Sequence, residues 1–295
     1  MSFTSFLIRR VFGSGDRKRD AGLFTPGDIE RFDNISYGDP GSKYQLLDVY
    51  RPKEAKGKLP VIVSVHGGGW VYGDKNTYQF YCMSLAQRGF AVVNFSYRLA
   101  PEYKYPASFE DTAAVCRWIK ENAEEYGLDT ENIFGVGDSA GAHMLALFCA
   151  ALTDRAFSER CGFSVTENFH FNAVALNCGA YIIRPEKKND LTTKLMKDFL
   201  KGKGTEEEYD LINVFGKINS SFPPSFIMSC PGDFLLPQAS PMAEELEKAG
   251  VEHQLHIYGD DNNKLSHVFH VNIRLREAAL CNDEECDFFR KHIKP

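Results

Sequence analysis

The apolar positions along the chain switch repeatedly between two periods. Eight short runs rich in β-branched and aromatic residues, each bounded by turn residues, predict strands at 32–37, 44–50, 60–65, 91–97, 132–136, 173–177, 225–229 and 253–258. The first two alternate apolar and polar residues, and Asp39-Pro40-Gly41 between them is turn chemistry, so an antiparallel opening hairpin is expected. The later runs are nearly continuous in apolar residues, the pattern of parallel strands buried on both faces. Helical spacing predicts helices at 77–88, 108–126, 140–152, 240–249 and 268–292. Strands alternating with helices specify an α/β fold, with a mostly parallel central sheet and right-handed crossovers that put helices on both faces.

Two stretches stand outside the alternation. Residues 1–30 precede the first strand, and 181–222 separate two core strands by more than an ordinary loop. The charge-rich pieces Arg184-Pro185-Glu186-Lys187-Lys188 and Lys201-Gly202-Lys203 read as solvated faces. Both stretches are expected to form a small helical lid over the functional edge of the sheet, leaving 1–295 as a single domain. No internal repeat or low-complexity tract is visible.

Composition narrows the classes. The 295 residues are 43% apolar and 25% charged, enough to bury a sizeable core, and a net charge of −6 gives no basic footprint for nucleic acid. Of eight cysteines, Cys149 lies in an apolar helical pattern, and Cys178 and Cys230 end strand-like runs. There is no C-x-x-C pair, and Cys281 and Cys286 lack zinc spacing, so buried thiols in a reducing compartment and no metal are expected. The N-terminal apolar run breaks at Arg9-Arg10, with its charges after the run, which is not signal-peptide order. No stretch approaches the roughly 18 apolar residues of a spanning helix. A helix packed on its own domain is expected there, with an amphipathic helix on a membrane surface as the alternative. The expected location is cytoplasmic.

Candidate chemistry centres on Gly137-Asp138-Ser139-Ala140-Gly141, which follows a short apolar strand and opens directly into a helix. A serine on such a turn is pushed out of the sheet, and flanking glycines let backbone approach without Cβ clashes. Serine needs a base, and the base an orienting acid, all from loops at the carboxyl ends of strands. Asp233 shortly follows the run 225–229, and His267 follows the last strand, so the chain order is Ser, Asp, His. Asp138, Asp260 and Asp261 are alternative acids, and His270, one helical turn beyond His267, is the rival base. His253 and His256 within a strand, and His143 on the helix after Ser139, read as structural. His170 and His292 have no motif around them.

A buried strand opens into His66-Gly67-Gly68-Gly69-Trp70, where side-chain-free backbone can aim N–H groups at a developing oxyanion. Gly67, Gly68 and Gly69, with the N–H of Ala140, are the candidate donors. Trp70 either walls the substrate pocket or packs on the sheet, and Phe234 beside the acid is a second candidate substrate contact.

Together these residues resemble the hormone-sensitive-lipase-like group of α/β-hydrolase esterases, which includes bacterial acetyl esterases. The resemblance rests on His66-Gly67-Gly68-Gly69-Trp70, Tyr97-Arg98-Leu99-Ala100-Pro101-Glu102, the Ser139 pentapeptide, Asp233 and His267-Val268-Phe269, spanning about 45–272. It implies carboxylic ester hydrolysis without metal or cofactor, with Ser139 as nucleophile, His267 as base, Asp233 as its partner, and His66 fixing the donor loop. Ser96 departs from the acidic residue frequent before Tyr97 in relatives. The lid region, which sets substrate choice, matches weakly, and monomer and homodimer both stay open. The expected substrate is a small or short-chain acyl ester, cleaved through an acyl-enzyme. Acetyl or feruloyl esters of plant carbohydrate, or a small peptide, are alternatives. A non-catalytic ligand-binding scaffold would be expected to have lost one of the three groups.

Overall fold

The buried β-branched runs assemble one sheet. The structure, a computed structural model, describes residues 2–184, 190–260 and 262–295. Its strands are β1 (Ile29–Ser36), β2 (Leu46–Pro52), β3 (Leu59–Val65), β4 (Ala91–Phe95), β5 (Leu128–Asp138), β6 (Ala173–Asn177), β7 (Ser225–Ser229) and β8 (His253–Ile257). They lie in the order β1-β2-β4-β3-β5-β6-β7-β8. β2 pairs antiparallel with β1 and β4, and the pairings from β4 to β8 are all parallel. The expected hairpin forms, with Ser42 N–H donating to Asp39 O at 3.0 Å and Gly41 at φ 85°. Every residue of β4, β6 and β7 is buried, whereas the edge strand β8 is half-exposed, a correction to its reading as a strand covered on both faces.

The described helices are α1 (Phe3–Asp20), α2 (Lys75–Ala86), α3 (Ala107–Tyr126), α4 (Ala140–Thr153), α5 (Arg155–Arg160), α6 (Leu191–Phe199), α7 (Glu206–Ile212), α8 (Ala239–Lys248) and α9 (Arg276–Lys291). Side chains alternate across the sheet, as the pleat requires. Val61, Val63 and Val65 join a core under α3, α4 and α8, and Ile62 joins a second core under α2 and α9. The sheet is therefore covered on both faces.

One helix is shorter than its pattern. Residues 268–275 carry only a 3₁₀ turn at Phe269–Val271, and α9 starts at Arg276. Val268 takes the left-handed conformation at φ 55°, which ends helical propagation, and the apolar residues after it are a buried loop that mimics helical spacing.

Residues 181–222 contribute α6 and α7, each started by a side-chain cap: Asp190 accepts from Thr193 N–H, and Thr205 with Glu208 forms a capping box. Lys201, Gly202 and Lys203 are exposed, while Pro185–Lys188 lie outside the described residues. α1 meets α6 where the hydroxyls of Ser2 and Ser5 donate to Asp198. The eight cysteines are free and buried. Among the described residues, no helix is long and apolar enough to cross a membrane.

Candidate active site

β5 ends at Asp138 and α4 begins at Ala140, leaving Ser139 alone on the turn at φ 53°, ψ −117°. The flanking glycines are sterically required. A Cβ on Gly141 would sit 2.0 Å from Val65 O, and one on Gly137 2.7 Å from the backbone of Gly141. Ser139 N–H donates to Asn177 O at 2.9 Å, tying the turn to the end of β6.

Two strands further along the same rim, Asp233 follows β7. Gly232 bridges to Ser266, with Gly232 N–H donating to Leu265 O at 3.0 Å, and this seam joins the Asp233 and His267 loops. His267 Nδ1 then lies 2.6 Å from Asp233 Oδ1. The same carboxylate accepts from Leu235 N–H at 2.8 Å and Ser229 Oγ at 2.7 Å. Burial by itself would raise the Asp233 pKa, but the bond and charge of His267, with the other two donors, outweigh it and hold the carboxyl below its ordinary 3.8. The Phe234 ring is 67% exposed and lies 4.4 Å from the His267 ring.

Ser139, Asp233 and His267 thus share the carboxyl rim of neighbouring strands. Among the described residues the Ser139 hydroxyl makes no hydrogen bond, to His267 or any other group; such contacts are commonly long in unliganded sites and tighten with substrate. Cys178, next to Asn177, brings its Sγ within 4.8 Å of ligand atoms of Asp233 and His267. Burial raises that thiol well above its usual range, which disfavours the thiolate a metal needs, and His267 Nδ1 is already engaged by Asp233.

The glycine loop after β3 is held from below. Tyr97 stacks on His66 at 4.0 Å and donates its hydroxyl to His66 O at 2.8 Å. Burial lowers the His66 pKa to about 4, so the ring is neutral and braces the loop through Nδ1 at 2.8 Å from Gly67 O. Gly68 sits at φ 118° and Gly69 at φ 60°, and a Cβ on Gly68 would meet Tyr72 O at 2.1 Å. Gly67, expected among the oxyanion donors, is corrected. Its N–H already donates to the Tyr78 hydroxyl at 3.0 Å, which in turn donates to Asp138 at 2.7 Å. The N–H groups of Gly68 and Gly69 have no partner among the described residues, and Ala140, first in α4, has no intrahelical acceptor.

Trp70 is buried in the core that covers this face of the sheet, stacked on Phe199 of α6 at 5.4 Å, with Nε1 donating to His143 Nδ1 at 3.1 Å. His143 Nε2 passes the chain on to Ile212 O at 2.7 Å, which fixes one neutral tautomer, and burial lowers its pKa to about 4.

The rival residues lie elsewhere. Asp138 is buried on Tyr78, and burial raises its pKa to about 6. Asp260 is exposed and accepts from Asn262 and Asn263 N–H, and Asp261 lies outside the described residues. His270 is not a helical turn beyond His267. It is fully buried on the loop, neither ring nitrogen has a partner among the described residues, and burial pushes its pKa to about 3. Sequence reasoning missed Tyr78 and the Trp70–His143 link, which no local spacing signals. A groove of about 610 Å³ between α1 and the start of α2, lined in part by Arg9, Asp16 and Tyr72, contains none of the three candidates.

The fold and the comparisons with known proteins define an α/β-hydrolase of the carboxylesterase type. Residues 47–246 match the BD-FAE family, and the chain belongs to it, within the hormone-sensitive-lipase-like esterases. The versiconal hemiacetal acetate esterase of Dothistroma septosporum is 31% identical over 231 residues, 74% of this chain and 69% of that protein. The carboxylesterase NlhH of Mycobacterium tuberculosis is 38% identical over 125 residues, 42% of this chain and 39% of its own length. Among solved structures, esterase B from Lactobacillus rhamnosis in its complex with a tributyrin phosphonate superposes with a TM-score of 0.86 at 26% identity, covering 98% of this chain and 95% of that one.

Proposed function

We propose that the chain hydrolyses small or short-chain acyl esters with Ser139 as nucleophile, His267 as general base and Asp233 as the carboxylate that orients it. The observation that carries this reading is the 2.6 Å His267–Asp233 contact on the rim where Ser139 stands at the head of α4. Asp233 holds the proton on Nδ1, which leaves Nε2 to accept the Ser139 proton as Oγ attacks the ester carbonyl. The oxyanion is met by the N–H groups of Gly68, Gly69 and Ala140, each donor worth on the order of 3 kcal/mol in the transition state. His267 then protonates the leaving alcohol, and water repeats the cycle on the acyl-enzyme.

Phe234 supplies an exposed apolar wall next to the base, and Trp70 supports the donor loop from behind. Residues 1–30 and 181–222 act as the lid of a single α/β-hydrolase domain, a reading supported by the Ser2 and Ser5 bonds to Asp198. A small acyl group accords with the acetate ester named for the Dothistroma enzyme and the tributyrin phosphonate named for esterase B. Ser139→Ala is expected to lower kcat/KM on p-nitrophenyl butyrate by roughly 10⁴-fold or more, and wild type is expected to prefer acetate and butyrate esters over laurate. A variant keeping most of the activity refutes the assignment.

A further inference from the structure

Helix α1 is docked by a mixed face. Its inward side buries Ile8 in the core and sets Phe12 against Tyr72, and its polar groups there are tied to the body. Arg9 pairs with Glu102 at 2.6 Å and donates to Val71 O at 2.7 Å, Asp16 accepts from Tyr72 at 2.7 Å, and Arg19 donates to Thr77 O at 2.6 Å. Its outward side is apolar. Phe3 is 78% exposed, and Phe6, Leu7 and Val11 follow it on the same stripe at three- and four-residue spacing, all exposed. A helix that merely packed on its own domain would turn these groups inward. Further along the same stripe, Arg10, Arg17 and Lys18 are exposed, while the helix's acidic residues Asp16 and Asp20 are paired with Arg19.

We propose that this face of α1 lies on an anionic lipid–water interface, with the four apolar side chains inserted among acyl chains and the three cations against the headgroups. Apolar side chains beside basic ones on one helix face are what such an interface recognises. On a chain whose net charge is −6, Arg10, Arg17 and Lys18 give this face a local positive charge that an anionic surface attracts. Through Arg9 and Tyr72 the docked helix also grips the segment that follows the glycine loop.

The test is flotation of the full chain with vesicles of phosphatidylcholine containing phosphatidylglycerol, and with phosphatidylcholine alone. Wild type is expected to float with the anionic vesicles at least about tenfold better than with the neutral ones. Leu7→Ser with Val11→Ser is expected to cut binding to both about tenfold or more, and Arg10→Glu with Lys18→Glu to erase the preference for anionic vesicles. An unchanged thermal unfolding midpoint in each variant shows that the fold is kept. Absence of flotation with either vesicle overturns the proposal, as does flotation that neither variant changes. It is also overturned by a wild-type dimer in sedimentation that Leu7→Ser with Val11→Ser dissolves, since a second copy would then be the occupant.

Discussion

Asp233 accepts from three donors at once, and each comes from a different source: its own strand end through Ser229, its own loop through Leu235, and the facing loop through His267. That network explains a carboxyl held below its ordinary range despite burial, so the charge on Asp233 persists wherever a histidine base is neutral. Acid weakens this contact in a definite direction. With the folded pKa depressed, the stabilisation is full above 3.8 and is lost as pH falls through the lower folded value. Asp233→Asn keeps the shape but can present its NH₂ to Nδ1, which favours the wrong tautomer. We expect kcat to fall about 10³- to 10⁴-fold with a lower thermal midpoint at neutral pH, measured by steady-state kinetics on p-nitrophenyl butyrate and by thermal melts. A kcat within tenfold of wild type would remove Asp233 from the mechanism.

Elements were legible in the sequence where burial was two-sided or where local chemistry fixed the backbone. All eight strands stand within a few residues of their apolar runs, and β6 and β7 match theirs at both ends. Ser139 can be named because strand, turn and helix are adjacent in the chain there, and Asp233 and His267 follow from the order of loops after the later strands. The overlong helix has a physical cause, since periodicity reports burial rather than hydrogen bonding. Phe269, His270 and Val271 are buried on a loop and so imitate a helix. α6 and α7, by contrast, are helices of the kind expected within 181–222, and their caps set where each starts. Gly67 differs for another reason, since the acceptor of its N–H, Tyr78, comes from a distant element.

A pairing of the same long-range kind ties α9 to the sheet below the site. Glu285 is fully buried, accepting from Tyr81 at 3.0 Å and from Asn177 at 2.6 Å, and burial raises its pKa from 4.5 to about 7. The raised value means that its stabilisation is full below 4.5 and lost as pH rises through about 7. Between pH 5 and pH 8, wild type is expected to lose on the order of 2–4 kcal/mol more urea stability than Glu285→Gln. Equal losses in the two proteins would show that Glu285 does not titrate in that range.

At the scale of the whole molecule, the sheet is a device for convergence. Parallel strands β5, β6 and β7 deliver the Ser139 turn, the Asn177 anchor and the Asp233 loop to one rim, and the Gly232–Ser266 bridge carries His267 to the same place. Stability is invested in the same region. Asp48 and Lys75 form a buried ion pair at 2.8 Å that joins β2 to the head of α2, and that helix carries Tyr78 to the glycine loop. The central claim is that this convergence makes one hydroxyl nucleophilic. It is tested most directly by treating the full chain with a fluorophosphonate probe and mapping the modified peptide by mass spectrometry. The account predicts a single adduct on Ser139, abolished by Ser139→Ala and strongly slowed by His267→Ala; an adduct on another residue, or none on the active protein, would contradict it.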